Sequence, residues 1–335
     1  MKKLVAILLV FVLCISAAAC VPQAKPVEPA VDAPQAQQPE DQPAQEPQEP
    51  AEEKTITIGA TFMTLNSPFF EAMQRGVKEA AAAANVEVVI SDAQLKVADQ
   101  ISSVEALIAQ GVDAILLNAV DSAAIVPAVE ACNQAGIPVI CLDVLPEGGE
   151  YATFIASNNK QAGVLGGEFI GEYLKGQGTV VILDGPAISS FQDRAAGFEE
   201  ALSKYEGIEI VAHINAVENS ITAFVSAAEN ILAAYPDLSA VLAVNDYGAI
   251  AVETAVASAG KEFPVVSVGV DGMPDVVNAI TNGKVVAGSV AQLPADMGRL
   301  GVETALKVLN GETVEKVIDV PLKMLSAENA AGFTW

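Results

Sequence analysis

Several polar side chains stand where apolar, strand-like runs of this sequence end, and their chemistry suits the recognition of hydroxyl groups. Amides both donate hydrogen bonds to hydroxyls and accept them, while carboxylates accept them. In open α/β sheets, ligands bind just outside the carboxyl ends of the strands, so such residues can converge on one cleft. Strand-end Asn and Asp are also common turn formers and helix caps, which is the alternative for any single one. The candidates are Asn118, Asp143, Asn245, Asp271 and Gln292.

Two adjacent phenylalanines, Phe69 and Phe70, follow the first strand-like run. The preceding Ser67-Pro68 is typical of a capped first helical turn, which leaves the Ser67 hydroxyl either as a cap or as a ligand contact. Phe69 lies on the same helical stripe as Met73 and can equally belong to the core, whereas Phe70 lies off that stripe and is the better cleft residue. An aromatic face beside amides and carboxylates suits a polyhydroxylated ring with apolar CH faces.

These residues offer little support for catalysis. Asp143 and Asp271 could in principle form a general acid/base pair. However, His213 is the only histidine, so neither a Ser-His nor a Cys-His arrangement nor a histidine-ligated metal site is expected. No phosphate-binding glycine loop follows a strand, and the glycines of 163–171 indicate a helix packed closely on a sheet. We therefore expect a protein that is not an enzyme and needs no cofactor or metal.

Composition and charge narrow the class of partner. The 335 residues carry a formal net charge of −25, which argues against nucleic acid because phosphate binding needs clustered Lys and Arg. Of these residues 52% are hydrophobic but only 5% are aromatic, so the cores must consist mostly of Ala, Val, Ile and Leu. Such residues are typical of buried parallel strands and of the helices that cover them. The length allows two domains.

The first residues predict export. Lys2 and Lys3 precede an apolar run, Leu4–Ile15, that is too short to span a bilayer as a mature helix. Small residues and Cys20 follow, as in a bacterial lipoprotein signal (1–20) in which Cys20 becomes the lipidated N-terminus. Ordinary signal cleavage nearby is the alternative, and both readings export the protein. With a lipidated Cys20, the protein would contact the membrane through the lipid anchor only and would lie in the periplasm or on the outer cell surface.

Residues 21–53 are rich in Pro, Gln and Glu and predict a disordered tether, since such a composition cannot bury enough apolar surface to fold.

Cys132 and Cys141 fall on elements that we expect to be buried. Outside the cytoplasm they could form a disulfide, but two buried thiols are the favoured interpretation.

Beyond the tether, strand-like and helical runs alternate with short turns from 55–61 to 317–320. This alternation predicts an α/β fold with parallel, helix-covered sheets and right-handed crossovers. A break at Glu147-Gly148-Gly149 separates two similar halves. The interface between two such halves is the default place for a ligand.

Four stretches of this sequence, together with spacing over about 55–325, carry a family resemblance. They are Thr64-Leu65-Asn66-Ser67-Pro68-Phe69-Phe70, Asn245-Asp246, Val268-Gly269-Val270-Asp271-Gly272-Met273-Pro274-Asp275 and Ala291-Gln292-Leu293-Pro294. The chain thereby resembles the ribose-binding proteins of bacterial ABC importers, which are type I periplasmic binding proteins. The resemblance implies two Rossmann-like lobes, each a parallel sheet covered by helices, that are joined by a three-strand hinge and close around a monosaccharide. The first lobe would comprise 54–157 plus 293–321 and the second 158–292 plus 322–335, with chain crossings near Ser157, Gln292 and Pro321.

The same resemblance implies a set of sugar contacts and a ligand-binding role. The ligand would be a pentose, a hexose or a related polyol, the macromolecular partners would be the transmembrane subunits of an ABC permease, and the protein would act as a monomer. The implied contacts are Phe69, Phe70, Asn118, Asp143, Asn245, Asp271 and Gln292, with Ser67, Gln192, Arg194 and Asn219 as further candidates.

The departures from the family pattern concern ligand choice. Ribose-binding members have asparagine at the position of Ser67, arginines at Val144 and Gln192, and an aromatic ring near Asn219. Two missing cationic donors would weaken ribose binding, because charge-assisted hydrogen bonds contribute about 1.5–3 kcal/mol each. Arg194 could partly substitute from the same helix start.

Three alternatives to import remain. A receptor of related fold for a non-sugar molecule, or a sensory protein that presents its closed form to a receptor or kinase, is compatible with the same residues. A transcriptional regulator of similar fold would need an N-terminal DNA-binding helix-turn-helix, whereas this chain has an export signal.

Overall fold

The computed structural model describes residues 55–186, 188–260 and 262–335. The predicted signal peptide, the predicted lipidation at Cys20 and the predicted tether all lie outside the described residues. Within those three ranges, none of the helices combines the length and the apolar character that crossing a bilayer would require.

Strands and helices alternate through the described residues. The strands are β1 (Thr57–Phe62), β2 (Glu87–Asp92), β3 (Ala114–Leu117), β4 (Val139–Leu142), β5 (Thr153–Ser157), β6 (Gln177–Asp184), β7 (Gly207–Asn215), β8 (Ala240–Ala243), β9 (Val266–Asp271), β10 (Val286–Ala291), β11 (Val317–Val320) and β12 (Lys323–Ser326). The helices are α1 (Pro68–Ala83), α2 (Val97–Gln110), α3 (Val126–Ala135), α4 (Asn159–Tyr173), α5 (Ser189–Leu202), α6 (Ile221–Ala234), α7 (Asp246–Ser258), α8 (Pro274–Asn282) and α9 (Pro294–Leu309).

The strands form two six-stranded sheets, which define two lobes. The first sheet has the order β11-β5-β4-β3-β1-β2, and all its pairs are parallel. The second has the order β12-β10-β9-β8-β6-β7 and is parallel except where β12 pairs antiparallel with β10. The predicted α/β fold with two lobes is confirmed. The sheets are mostly parallel, as expected, and β12, which the sequence analysis did not identify, adds one antiparallel pairing.

Apolar strands and one apolar face on each helix build the cores. Strands β3, β4 and β8 are buried along their whole length, as expected for central parallel strands covered on both faces. Helices α1 and α9 pack together over the first sheet, and α4 and α5 pack together beside the second. Helices α2 and α3 end at Gly111 and Gly136, which are both left-handed, with φ of 73° and 72°, as is common for glycine at a helix C-terminus.

One helix boundary departs from the sequence pattern. The helical pattern of the sequence extends back to Ser122, but α3 begins at Val126. The Asp121 side chain accepts hydrogen bonds from the backbone N–H groups of Ala123 and Ala124 at 3.0 and 2.7 Å, and this local turn competes with the first helical turn.

The chain passes between the two sheets three times. It leaves the first sheet after β5, returns between β10 and α9, and crosses again between β11 and β12. The carboxyl ends of β1, β4, β8, β9 and β10 meet at these crossings and position the residues described next.

Candidate functional site

A cavity of about 190 Å³ lies between the two lobes. Its lining from the first lobe is Met63, Ser67, Phe69, Phe70, Asp143 and Val144. Its lining from the second lobe and the middle crossing is Ile188, Ser190, Phe191, Arg194, Asn219, Asn245, Tyr247, Asp271, Met273 and Gln292. The volume lies below the ~300–1,000 Å³ typical of sites for drug-sized ligands, as suits a small solute.

Asp143 is the charged side chain that the first lobe contributes to the cavity wall. It follows β4 with a left-handed φ of 65°, a conformation that is uncommon outside glycine and is often retained at functional sites. Its Oδ2 atom has a long contact of 3.5 Å with the Asn118 amide Nδ2. Burial raises the pKa of the Asp143 carboxyl to about 6, opposed by the positive charge of Arg194 and the Asn118 hydrogen bond and reinforced by Asp271.

Asn118 lies behind the cavity wall. Its side chain is fully buried, its Oδ1 accepts from the Met63 backbone N–H at 3.1 Å, and its Nδ2 donates to the Leu142 carbonyl at 3.2 Å. These bonds join the ends of β1 and β4 and orient Asp143. Asn118 was expected to contact ligand directly, but the described cavity lining does not include it.

Arg194 is the positively charged side chain that the second lobe contributes to the cavity wall. Its side chain is only 5% exposed, and its Nη1 atom lies 3.1 Å from Asp271 Oδ1 and 2.8 Å from the Val244 carbonyl. Its Nε atom donates to Asn159 Oδ1 at 2.9 Å. A planar guanidinium held by three acceptors presents a fixed fork of donors.

Close packing of two helices sets the position of Arg194. A Cβ at Gly163 on α4 would lie 2.0 Å from the Arg194 carbonyl, and one at Gly197 on α5 would lie 2.2 Å from the Lys160 carbonyl. Only glycine permits this approach. The glycines of 163–171 were expected to pack a helix on a sheet, but Gly163 and Gly167 face α5 instead.

Asp271 is held from several directions. Its φ is 132°, a conformation that L-residues rarely adopt. In addition to Arg194, the Gln292 Nε2 atom donates to Asp271 Oδ1 at 2.8 Å. Burial raises the pKa of Asp271, and the Arg194 charge and the Gln292 hydrogen bond oppose that rise. Gln292 is itself buried, and its Oε1 has no protein partner.

Asp246 is a third carboxylate that the sequence analysis did not select. It is fully buried, accepts from Ser289 Oγ at 2.6 Å and accepts from the Met273 backbone N–H at 2.7 Å. Burial, followed by the charge of Asp271, raises the pKa of Asp246 to about 7. It fixes the turn after Asp271 from behind. The Asn245-Asp246 stretch was the only signal for it in the sequence.

Asn245 combines the two roles that the sequence left open. Its Oδ1 accepts from the Gly248 N–H at 3.0 Å and so caps α7, while its Nδ2 donates to Asn219 Oδ1 at 2.9 Å. Both asparagines line the cavity. Capping and cavity lining are therefore compatible in one side chain.

The two phenylalanines share the first-lobe wall unequally. Phe69 is 8% exposed and belongs to the first-lobe core, whereas Phe70 is half-buried, and their rings meet edge to face with centroids 5.3 Å apart. Ser67 occupies the N-cap position of α1 but makes no side-chain cap bond. Its hydroxyl is hydrogen-bonded to Tyr247 of the second lobe instead. The cap interpretation of the Ser67 side chain was wrong.

One other expectation needs correction. Gln192 is exposed and does not line the cavity, whereas Arg194, two residues later, does. The sequence analysis also missed apolar and aromatic lining residues that no polar pattern marks, among them Phe191, Tyr247 and Met273.

The described residues lack the ligands of a metal site, since they contain no suitable cluster of three or more His, Cys, Asp or Glu. Cys132 and Cys141 are buried free thiols, which agrees with the favoured interpretation. Burial raises their pKa values to about 11 and about 12, so both thiols remain protonated and unreactive at neutral pH.

Two α/β lobes with a polar, aromatic-walled cleft between them define a class of small-molecule binding proteins, and comparison with known proteins identifies the family. The model of the periplasmic binding protein domain matches residues 58–313. The ribose import binding protein of Bacillus subtilis is 37% identical over 273 residues, which cover 81% of this chain and 88% of that protein. The corresponding Escherichia coli protein is 38% identical over 274 residues, which cover 80% and 90%.

Solved structures agree with this assignment. A periplasmic solute-binding protein of an ABC transporter from Actinobacillus succinogenes, with bound D-allose, superposes with a TM-score of 0.77 at 28% identity and covers 83% of this chain and 100% of its own. A Bacillus halodurans solute-binding protein with bound myo-inositol gives a TM-score of 0.75 at 30% identity, with coverage of 83% and 96%.

The chain belongs to the periplasmic binding protein family. These two relatives are import binding proteins and the two solved structures are solute-binding proteins of ABC transporters, so the chain is a solute-binding protein of the ABC-importer class and not an enzyme. Family membership also implies an extracytoplasmic location.

Proposed function

We propose that this protein captures a monosaccharide, either a pentose or a hexose, or a related polyol between its two lobes and delivers it to the permease of an ABC importer. The observation that carries the proposal is the pairing of Asp143 from one lobe with Asp271 and Arg194 from the other across one small cavity. Carboxylates accept from sugar hydroxyls and the guanidinium donates to them. Phe70 offers an apolar face for the CH groups of the ring.

The proposed contacts fall into two groups. Those that would touch the ligand are Ser67, Phe69, Phe70, Asp143, Arg194, Asn219, Asn245, Asp271 and Gln292. Asn118 would act through Asp143 and the end of β1. Gln192 has no proposed role.

The ligand class is narrowed by a single side chain. Arg194 brings a cation to the cavity from the helix start that carries Gln192, and Gln192 itself does not line the cavity. Val144 is therefore the cavity-lining residue that stands where the ribose-binding pattern has an arginine. An apolar Val144 beside Asp143 favours a ligand that presents a CH group there rather than a hydroxyl that needs a donor. D-ribose, D-allose, xylitol and myo-inositol are therefore the compounds to test first, because relatives or structural neighbours are named for or contain them.

Isothermal titration calorimetry with these four compounds tests the proposal. We expect at least one of them to bind at 1:1 stoichiometry, with the Asp143→Asn and Arg194→Met variants weakened at least tenfold, since hydrogen bonds to charged groups contribute about 1.5–3 kcal/mol. Titration of Asp237→Asn, an exposed aspartate of the second lobe, is the matched control and should match the unmodified protein. Absence of binding throughout a wider panel of sugars and polyols would contradict the proposal.

The mechanism that we propose is closure of the two lobes about the three crossings between the sheets, with the first lobe comprising 54–157 plus 293–321 and the second 158–292 plus 322–335. The ligand would stabilise the closed state because it contacts both lobes, whereas the open state offers it only one. The hydrogen bond between Ser67 and Tyr247 would form only when the lobes approach.

We further propose that the protein is a monomer anchored to the membrane through lipid on Cys20, with residues 21–53 as a tether. Intact-mass measurement of the membrane-extracted protein should show a diacyl or triacyl adduct at Cys20, and Cys20→Ser should release the protein in soluble form. An unmodified Cys20 in the wild-type protein would overturn the anchor but not the binding function.

A further inference from the structure

Trp335 touches both lobes at the back of the cavity. Its indole Nε1 donates a hydrogen bond to the backbone carbonyl of Asp271, at 3.2 Å, in the second lobe. Its ring packs edge to face on Phe69 of the first lobe, with centroids 6.0 Å apart and an interplanar angle of 85°. Its own carbonyl accepts from Arg75 Nη2 on α1 at 2.6 Å. One side chain therefore joins the two walls of the cleft.

The bond to Asp271 acts on a strained residue. The Asp271 φ of 132° needs support from its surroundings. Its carbonyl accepts from the Gln292 backbone N–H at 3.0 Å and from the Trp335 indole at 3.2 Å. Loss of the indole leaves one of these two bonds and frees the peptide group that aims the carboxylate.

The contact with Phe69 extends to the cavity surface. Phe69 packs edge to face on Phe70 at 5.3 Å, so Trp335, Phe69 and Phe70 form a continuous aromatic row from the back of the first lobe to its cavity wall. Edge-to-face aromatic pairs have preferred geometries, so displacement of one ring shifts its neighbour.

We propose that Trp335 is a positioning residue of the cleft, which couples the orientation of Asp271 in the second lobe to the Phe69–Phe70 wall of the first and thereby favours the lobe arrangement of this structure. The consequence for binding rests on the proposed function, whereas the coupling between lobes does not. Trp335 is the single tryptophan of the sequence, so its emission reports this contact without interference.

The coupling can be measured without ligand. Spin labels at Glu105→Cys on α2 and Glu229→Cys on α6, two exposed positions on different lobes, give an interlobe distance distribution by double electron–electron resonance. Cys132 and Cys141 are buried with raised pKa values and should not react with the label. We expect Trp335→Ala to broaden the distribution toward longer distances and Trp335→Phe, which keeps a ring but loses the indole donor, to do so less.

A control variant and the folded Trp335 variants show whether Trp335 couples the two lobes. Tyr173→Ala, which removes an exposed ring on α4 of the second lobe, should leave the distribution unchanged. If Trp335→Ala reduces folded protein, Trp335→Phe and Trp335→Leu carry the test. An unchanged distribution in all folded Trp335 variants would overturn the proposal.

A binding measurement separates this inference from the proposed function. With whichever of D-ribose, D-allose, xylitol or myo-inositol binds, we expect Trp335→Phe to weaken affinity about threefold to tenfold, the share of one hydrogen bond, mainly through faster dissociation. The Tm of ligand-free Trp335→Phe should stay close to that of the wild type, whereas a merely structural role of Trp335 would lower it. If none of the four binds, the proposed function fails while the distance measurement still decides the role of Trp335.

Discussion

The Nη1 atom of Arg194 lies 3.1 Å from the Oδ1 atom of Asp271, and the same guanidinium lowers the pKa of Asp143 across the cavity. One buried cation thus serves a carboxylate in each lobe. Because burial outweighs that attraction, both carboxyl groups have raised pKa values. The cleft carries buried negative charge that hydrogen-bond donors from a ligand would stabilise.

Removal of the cation is expected to affect both stability and binding. Arg194→Met leaves the Asp271 carboxylate and the Val244 carbonyl without their charged partner. Breaking a buried ion pair from one side typically costs about 3 kcal/mol or more, so we expect a loss near that size in the free energy of unfolding, measured with urea. Arg299→Met removes an exposed arginine that bonds Asp296 and Glu303, and should cost less than about 1 kcal/mol. Equal losses in the two variants would contradict this assignment.

Asp143 should make stability depend on pH in a stated direction. The folded-state pKa is about 6, above the ordinary value of 3.8, so the folded protein binds more protons than the unfolded chain between these values. Its contribution to the free energy of unfolding is therefore most favourable below about pH 4 and declines as the pH rises through about 6, by about 3 kcal/mol in total. Asp143→Asn removes this decline and should be more stable than the wild type at pH 7.5.

Urea unfolding at pH 4.5 and 7.5 measures this difference, and comparison with the wild type cancels the titration of Asp246, whose pKa is also raised. The exposed variant Asp237→Asn should keep the wild-type dependence. If Asp143→Asn is less stable than the wild type at pH 7.5, Asp143 does not have the desolvated environment described here.

Restoring a cation at residue 144 should change ligand preference. Val144→Arg places a guanidinium beside Asp143, which should lower the pKa of Asp143 and add donors for sugar hydroxyls. We expect D-ribose affinity to rise by at least about tenfold relative to xylitol, the equivalent of ~1.4 kcal/mol. Val144→Leu is the control for size. Calorimetry that shows no change in the ratio would remove Val144 from the determinants of specificity.

Substitution of Phe69 should mainly lower the stability of the protein, and substitution of Phe70 should mainly lower its affinity for the ligand. Phe69 lies in the core, so Phe69→Ala should lower the free energy of unfolding by about 3–4 kcal/mol. Phe70 is half-buried at the cavity, so Phe70→Ala should cost less stability but more affinity. Thermal unfolding and calorimetry on both variants provide the comparison. A larger stability loss for Phe70→Ala would reverse the roles assigned to the two rings.

Local pattern accounts for most of the fold. Alternating apolar runs and helix-ending glycines such as Gly111 and Gly136 specify strands and helices because each acts over a few residues. β12 escaped notice because it has only four residues, of which Leu325 alone is fully buried, and it is a strand only through its antiparallel pairing with β10. That pairing depends on where the chain returns after the third crossing.

The sequence predicts the site less well where the direction of a side chain determines whether it enters the cleft. Gln192 and Arg194 are two residues apart, so they point roughly 200° apart around α5, and only the packing of Gly163 against α5 determines which one enters the cleft. Asp246 and Trp335 contribute from behind the cavity through contacts distant in sequence. The strand-end residues were easier, because parallel strands bring their carboxyl ends together.

The central claim is that Asp143 and Asp271, from opposite lobes, bind one small polyhydroxylated solute. Native mass spectrometry of the protein as purified from its own host, followed by calorimetry with the identified compound, tests it most directly. We predict one sugar or polyol per chain, released on denaturation, which rebinds unchanged to the wild type and at least tenfold more weakly to Asp143→Asn. A bound molecule without hydroxyl groups, or one that binds Asp143→Asn as tightly as the wild type, would contradict the account.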